Sequence, residues 1–230
     1  MKQEKVVVYL HGLGYALILM VIAGGFIVAR HGQEAFMNYL REDGVVENLT
    51  TLFLLATSIV AILRAVKAYR AGKRLWVLMW AVLGFLFFFA AGEEISWGQR
   101  IFNVESSGFF LEKNLQKETN LHNLVVGNVK VNKLIFSQLL TVVLGFYMIL
   151  LRPLAQKTGF FSKLVSLFNI PLPRWHHIAA MLVSILLISF YNLIKAGEVR
   201  EFAFAVVFLL IFLYPAKVKL HPVKPGREGV

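Results

Sequence analysis

Residues 92–100 (GEEISWGQR) concentrate the side chains of this chain that could do chemistry. Two adjacent carboxylates, Glu93 and Glu94, directly follow residues 75–91, a run of 17 residues without a charge. Ionisable groups at the edge of a membrane helix are costly, and they usually mark a functional site or a deliberate pairing. The phrase therefore predicts a polar cluster where a hydrophobic helix leaves the bilayer.

A second polar group lies in residues 103–133, which form a long connector on the same side of the predicted membrane. The segment begins with serines that can cap a helix and contains a Gly-Asn pair that can end it. A helix there would place Asn114, Glu118 and His122 on one face, at i, i+4 and i+8. A Glu and a His one turn apart can bind one metal ion or act as an oriented acid/base pair.

These two groups define the predicted site at the outer membrane face. The predicted catalytic residues are Glu93, Glu94, Glu118 and His122. The residues predicted to bind substrate are Glu47, Trp97, Gln99, Arg100 and Asn123. A divalent metal is the candidate cofactor, and its predicted ligands are Glu94, Glu118 and His122. An acidic site of this kind suits a metal ion or an amine-bearing headgroup better than a bare phosphate.

The composition points to a membrane protein. The 230 residues are 58% hydrophobic, and the mean hydropathy is +0.67. That is typical of a bundle of membrane helices and too apolar for an ordinary soluble domain. The sequence has no cysteine, which excludes disulfides, thiolate metal ligands and a cysteine nucleophile. It also lacks the motifs of nucleic-acid-binding proteins, so no nucleic acid partner is expected despite the net charge of +11.

Six hydrophobic segments position the polar groups. They comprise residues 6–29, 45–66, 75–91, 134–151, 178–193 and 202–214. A membrane helix needs about 20 apolar residues, and the last segment reaches that length if its helix begins near Gly197. The sequence therefore predicts an all-α fold: a polytopic membrane helix bundle of about six transmembrane helices, in a single integral membrane domain of residues 1–230. Residues 103–133 would add an outer interfacial or re-entrant helix.

The basic residues indicate an orientation. With the N-terminus inside, the inner segments contain fifteen of the 24 Lys and Arg residues, and the outer segments contain eleven of the thirteen acidic residues. The excess of basic residues favours cytoplasmic N- and C-termini. The inner face would then attract anionic lipid, so membrane lipids are the expected partners, and a protein partner at the outer face is a further candidate.

Structural explanations compete with the functional ones at several positions. Lys195 and Arg200 are adjacent to Glu198 and Glu201, which favours local ion pairs for those two acids. His11 is expected to form a hydrogen bond across helices, and the His176-His177 pair is expected to contact lipid headgroups. Hydroxyls in the middle of the spans are the usual polar contacts between membrane helices.

Three phrases together resemble an uncharacterised family of bacterial multi-pass membrane proteins. They are residues 42–50 with Glu42-Asp43-Gly44, Glu47 and Thr50, residues 92–102 (GEEISWGQRIF), and residues 118–123 (ETNLHN). The resemblance covers roughly residues 40–125, and elsewhere it extends only to the hydrophobic spans. It implies the bacterial cytoplasmic (inner) membrane and nothing about a substrate.

Three functions are consistent with the sequence. The first is an enzyme at the outer interface that uses metal-assisted or acid/base chemistry on a lipid-linked or small polar substrate. The second is a structural or accessory membrane subunit that docks a partner at its outer face. The third is a cation or proton transporter, which needs charged groups near the midplane, where the predicted spans have none.

Overall fold

The computed structural model describes residues 2–121, 123–126, 129–130 and 138–221, and this part of the chain is almost entirely helical. Its helices are α1 (Lys2–Ala29), α2 (Gln33–Tyr39), α3 (Val45–Arg70), α4 (Arg74–Glu94), α5 (Gln99–Phe102), α6 (Gly108–Lys113), α7 (Leu140–Gly145), α8 (Arg152–Lys157), α9 (Gly159–Phe168), α10 (Trp175–Ser189) and α11 (Ala196–Leu213). A tight turn, Ser96–Gly98, joins α4 to α5, and a π-helical segment, Phe146–Leu151, joins α7 to α8. Two short strands, β1 (Val125–Val126) and β2 (Val129–Lys130), pair antiparallel.

Four helical stretches in the described residues are long and apolar enough to cross a membrane. They are Glu4–Ala29, Val45–Arg70, Arg74–Glu94 and Leu140–Lys157. The prediction of an all-helical fold is thereby confirmed. The other two predicted spans correspond to α10, which has 15 residues, and to α11, which begins at Ala196 as expected but carries three charged residues in its first two turns.

Helix α11 is the centre of the bundle, because α1, α3 and α10 all pack against it. Its buried side chains point in every direction, and Phe212 meets Trp80 of α4 edge-on with 5.4 Å between the ring centroids. The surrounding helices expose large apolar side chains, such as Leu63 and Phe85. An apolar exterior around a packed apolar centre is the arrangement expected for helices that face lipid.

Glycines allow the close helix packing that membrane bundles favour. Near the C-terminal end of α1, Gly24 and Gly25 lie against Tyr39 and Tyr191. Both tyrosine hydroxyls donate hydrogen bonds to carbonyl oxygens of α1, at 3.0 Å for Tyr39 and 2.6 Å for Tyr191. Since glycine has no side chain, each tyrosine can lie close enough to the helix to reach its backbone.

The connector differs from its prediction, because its helix is short. Helix α6 ends at Lys113, and the following residues form turns rather than a helical face with Asn114 and Glu118 on it. Asn114 explains the difference, because its side-chain oxygen accepts hydrogen bonds from the backbone N–H groups of Gln116 (2.8 Å) and Glu118 (3.3 Å). Such local bonds compete with helix formation. The third predicted member of the face, His122, lies outside the described residues, as does the Gly127-Asn128 stop signal.

An amphipathic helix occurs at a place the sequence analysis did not single out, between α8 and α10. Helix α9 buries Ser162 and Val165 and exposes Phe160. The Ser162 hydroxyl donates to the backbone oxygen of His221 at 2.7 Å, which fixes the chain after α11 against this helix. This amphipathic helix is therefore at the opposite end of the bundle from the connector.

We expect Gly25→Val to destabilise the protein, because a Cβ at Gly25 would lie 2.5 Å from the Tyr191 hydroxyl oxygen. Overpacking of this kind costs about 1–3 kcal/mol. The matched control is Gly12→Val in the same helix, where nothing lies within 4 Å of the added atom. Thermal unfolding in detergent should show a clearly lower midpoint for Gly25→Val than for Gly12→Val, and equal midpoints would contradict the packing described.

Candidate functional site

The site is built around the turn that ends α4. Ser96, Trp97 and Gly98 all have left-handed backbone conformations, with φ of 47°, 56° and 76°. Such a conformation costs roughly 1–2 kcal/mol for each residue other than glycine. The Trp97 ring packs over Gly92, where an added Cβ would lie 2.8 Å from the ring, and its indole N–H donates to Glu93 at 2.9 Å. The glycine and the tryptophan of the phrase therefore hold the turn in place.

Arg100 binds three carboxylates from three parts of the chain. Its Nε donates to Asp43 at 3.0 Å and its Nη1 to Glu118 at 2.8 Å, while Nη2 donates to Glu47. Burial alone lowers the pKa of Arg100, but the hydrogen bonds to Glu118 and Asp43 and the charge of Glu47 outweigh it and raise the pKa above its ordinary value. Arg100 is therefore a fixed positive charge that joins α5 to the start of α3 and to the connector.

A hydrogen-bond network fastens the connector to the end of α4. The Asn120 amide donates to the Ser96 hydroxyl at 2.8 Å, and Ser96 donates to Glu118. The backbone N–H of Leu121 donates to Glu93 Oε2 at 2.6 Å. The three side chains that accept these hydrogen bonds, Glu93, Ser96 and Glu118, are buried. The network therefore excludes water and fixes the connector over the end of α4.

Gln99 and Asn123 make further contacts to the connector. Gln99 Nε2 donates to Ser106 at 2.8 Å, and its Oε1 accepts from the backbone N–H of Thr119 at 2.7 Å. The Asn123 side chain donates to Gln116. Gln99 therefore contributes to the shape of the connector.

Three carboxylates converge beside this network without hydrogen bonds of their own. Glu94 is the last residue of α4, while Glu198 and Glu201 lie in the first two turns of α11. Their oxygens lie within 4.8 Å of one another, and no donor in the described part of the chain bonds to any of them. Close ion pairs of Glu198 and Glu201 with the adjacent basic residues, which the sequence favoured, do not form among the described residues: Lys195 pairs with Glu42 at 3.8 Å, and the Arg200 side chain is exposed to solvent. Lys195 and Arg200 act on these two acids only through their charge from a longer distance.

A cavity of about 220 Å³ opens between α3, α4, α11 and the connector. Seven carboxylates and two cationic side chains contribute to its lining. The acidic ones are Glu42, Glu47, Glu93, Glu94, Glu118, Glu198 and Glu201, and the basic ones are Arg100 and Lys195. Because a concave wall of one charge sign focuses the electric field, this cavity favours a cationic occupant.

Most residues of the predicted site meet here. Glu47, Glu93, Glu94, Arg100, Glu118 and Asn123 line the cavity. Trp97 and Gln99 support it from behind through the bonds given above. His122 lies outside the described residues, so the predicted ligand set of Glu94, Glu118 and His122 stays a prediction.

The sequence analysis missed several residues of the site. Asp43, Ser96 and Asn120 were not predicted to take part, although they complete the Arg100 network. Glu198 and Glu201 were assigned to local ion pairs. Their spacing of three residues did place both on one face of a helix, and that signal could have outweighed the neighbouring basic residues.

Comparisons with known proteins give no relative: no protein-family model, no curated protein and no solved structure matches this chain. The class that the fold and site define is a helical protein with membrane-length helices and an acidic cavity at one end of the bundle. Its function has to be inferred from these residues alone.

We expect Arg100→Lys to destabilise the connector, because a lysine ammonium cannot bond in the geometry of the guanidinium to three carboxylates. A hydrogen bond to a charged group contributes about 1.5–3 kcal/mol to stability, so the connector should lose at least that much stabilisation. Hydrogen exchange of residues 114–121 should become faster in Arg100→Lys and stay unchanged in Arg200→Gln, which alters an exposed arginine near the same cavity. Unchanged protection of these amides from exchange in Arg100→Lys would show that the Arg100 guanidinium does not hold the connector.

Proposed function

We propose that the chain is a six-span protein of the bacterial inner membrane with both termini in the cytoplasm. The four helices that are long and apolar enough to cross a membrane support its assignment as a membrane protein. The two further spans would be α10 and α11, which pack within the same bundle although each is less typical of a span by length or charge. The distribution of Lys and Arg supports the orientation, which puts the acidic cavity on the outer face.

We further propose that the cavity binds a divalent cation and serves metal-assisted or acid/base chemistry on a lipid-linked or small polar substrate. The observation that carries this proposal is the convergence of Glu94, Glu198 and Glu201 without a hydrogen-bond donor from the described residues. Three neighbouring carboxylates repel one another, and burying them uncompensated is unfavourable. A bound cation would relieve both costs.

The geometry of the three carboxylates fits an oxygen-preferring ion. Ca²⁺ binds oxygens at about 2.3–2.6 Å, so oxygens on opposite sides of one ion are about 4.6–5.2 Å apart. One oxygen from each of the three carboxylates lies within 4.8 Å of the other two, which is consistent with three ligands around a single ion. Carboxylate oxygens also suit Mg²⁺ and Mn²⁺, whereas Cu and Zn favour nitrogen or sulfur ligands. Water or substrate would complete the coordination sphere.

The other acids of the cavity would differ in their roles. Glu118 accepts hydrogen bonds from Arg100, Ser96 and Asn120, which suits a positioning role better than proton transfer. Glu93 is held by Trp97 and the backbone of Leu121. A bound ion would supply Lewis acidity and a more acidic water molecule, while Arg100 and Lys195 could orient an anionic group of the substrate.

A second candidate function is that of an accessory membrane subunit. Helix α5 and the connector expose large apolar side chains, including Phe102, Phe109 and Leu115. Exposed apolar residues close together mark a surface that a partner or the membrane covers. This surface is next to the cavity, so a partner bound there could also complete an active site.

We expect Glu201→Gln and Glu94→Gln each to weaken cation binding at least tenfold, which corresponds to about 1.4 kcal/mol. Each change removes one charged ligand and keeps the shape of the side chain. Mn²⁺ is the probe, and its binding to the purified protein can be followed by electron paramagnetic resonance. The control is Glu112→Gln, an exposed connector residue. The same affinity in all variants, or no Mn²⁺ binding by the native protein, would refute the cation site.

The topology has its own test. Reporter fusions after Arg70 and after Lys157 should read as cytoplasmic, and a fusion after Asn114 should read as external, because the basic residues concentrate in the inner segments. A cytoplasmic signal at Asn114 would invert the orientation and place the acidic cavity inside the cell.

A further inference from the structure

A second polar cluster lies at the other end of α11 from the acidic cavity. Tyr214, just past the end of α11, contacts the His11 ring with 5.5 Å between centroids. Glu198 and Tyr214 are 16 residues apart, so the two clusters are separated by about 24 Å along the helix. We call this second group the basic cluster; it consists of His11, Arg152, Arg174, His176 and His177.

The three histidines form one contact group. His11 and His177 face each other edge to edge, because their rings are nearly coplanar (12°) and their Nε2 atoms are 2.9 Å apart. His176 meets both rings at right angles, and its Nδ1 is 2.6 Å from the Tyr15 hydroxyl. The prediction that His11 bonds across helices is confirmed, since His177 belongs to α10.

The backbone contacts assign the protons of the His11–His177 pair. His11 Nδ1 lies 2.7 Å from the carbonyl oxygen of Val7, so this nitrogen carries the proton and Nε2 has a lone pair. The backbone N–H of Arg174 donates to His177 Nδ1 at 3.2 Å, so the proton of a neutral His177 is on Nε2. His177 therefore donates to His11, and the pair is a satisfied hydrogen bond.

This proton assignment argues against a metal ion, although the ring nitrogens lie within 4.8 Å of one another. A histidine that binds a metal usually donates its other N–H to an acceptor, whereas the other nitrogen of His177 accepts from a backbone N–H. Arg152 and Arg174 also add positive charge beside the rings. The electrostatic field of the cluster therefore favours an anion over a cation.

Arg152 is held rigidly and has no ion-pair partner among the residues that the structure describes. Its guanidinium stacks over the Trp175 ring at 4.4 Å, and Nη1 donates to the backbone oxygen of Pro173 at 3.0 Å. Its Nε is buried and has no hydrogen-bond partner in the described part of the chain. The ion pairs found among the described residues are all at the acidic end of the bundle, so no carboxylate of that part of the chain pairs with Arg152 or Arg174.

The surroundings of the cluster suit a membrane interface. Trp175, which stacks on Arg152, is exposed, and aromatic side chains concentrate where membrane helices meet water. Helix α10 begins at Trp175, so its partly positive N-terminus points toward the same region. Two guanidiniums, an exposed imidazole at His176 and a helix N-terminus can together donate to several oxygens of one phosphate.

We propose that the basic cluster binds a phosphate group, supplied by the headgroup of an anionic phospholipid. Arg152 and Arg174 provide the charge, His176 provides a further donor, and the His11–His177 pair holds α1 against α10 beneath the site. The lipid as the source rests on the proposed orientation, in which this end of the bundle is at the cytoplasmic leaflet. Free inorganic phosphate has the same chemistry and is the other source to be tested.

The test uses the detergent-solubilised full chain and native mass spectrometry. Phosphatidylglycerol, inorganic phosphate and Zn²⁺ are added in separate titrations. We expect phosphatidylglycerol to bind, and Arg174→Gln to weaken its binding roughly tenfold, as the loss of a charge-assisted hydrogen bond predicts. Arg174 is a suitable target because its guanidinium has no hydrogen bond within the described residues, so the change should leave the fold intact. Arg152→Lys, which keeps the charge but not the planar fork, should weaken binding as well.

The control is Arg70→Gln, an exposed arginine at the end of α3, which should bind phosphatidylglycerol as the native protein does. Binding of inorganic phosphate with the same arginine dependence, and none of the lipid, would assign the free anion as the source. Native affinity in both arginine variants would overturn the proposal. Stoichiometric Zn²⁺ binding that is abolished by His177→Asn would also overturn the proposal, because it would identify the cluster as a metal site. Glu201→Gln should leave lipid binding unchanged, and Arg174→Gln should leave Mn²⁺ binding unchanged, so either site can fail without the other.

Discussion

The binding of Arg100 to Asp43, Glu47 and Glu118 is the interaction on which the cavity end of the structure depends. One guanidinium joins the turn before α3, the first turn of α3 and the connector to the segment that follows α4. Asp43 and Glu47 are four residues apart, whereas Glu118 comes from the connector, and the three acids would repel one another without Arg100. The left-handed turn at Ser96–Gly98 directs Arg100 back toward them, which gives a physical reason for a strained backbone at this place.

Arg100 also determines which acids remain without a partner. It binds two of the seven carboxylates around the cavity, Glu47 and Glu118. Lys195 pairs with Glu42, and Glu93 binds the Trp97 indole and the connector backbone. Glu94, Glu198 and Glu201 are left as a group without a donor in the described residues. The positive charges of Arg100 and Lys195 therefore hold the walls of the cavity together. The carboxylates of Glu94, Glu198 and Glu201, which have no hydrogen-bond donor among the described residues, contribute negative charge to its lining.

Helix α11 connects this cavity to the basic cluster at the other end of the bundle. Its acidic first turns face the cavity, its middle is buried among apolar side chains, and Tyr214 beyond its last turn meets His11. An acidic cluster at one end and a basic one at the other fit the proposed orientation, in which the basic end is next to anionic lipid. We infer that the two polar ends serve different ligands, a cation at one and a phosphate at the other.

The sequence by itself determined the class of fold and the location of the site. Long apolar segments can satisfy their backbone only as helices in lipid, so the helices followed from local composition, and the GEEISWGQR phrase identified the helix end at which the cavity opens. Tertiary structure decided the rest. It moved Glu198 and Glu201 from ion pairs with adjacent residues to a cluster with Glu94, and it replaced the expected connector helix with turns held by Asn114 and Arg100. Periodicity records which residues share a face, but ion pairs and side-chain to backbone bonds form between segments far apart in the chain. Their partners are therefore chosen only when the helices pack.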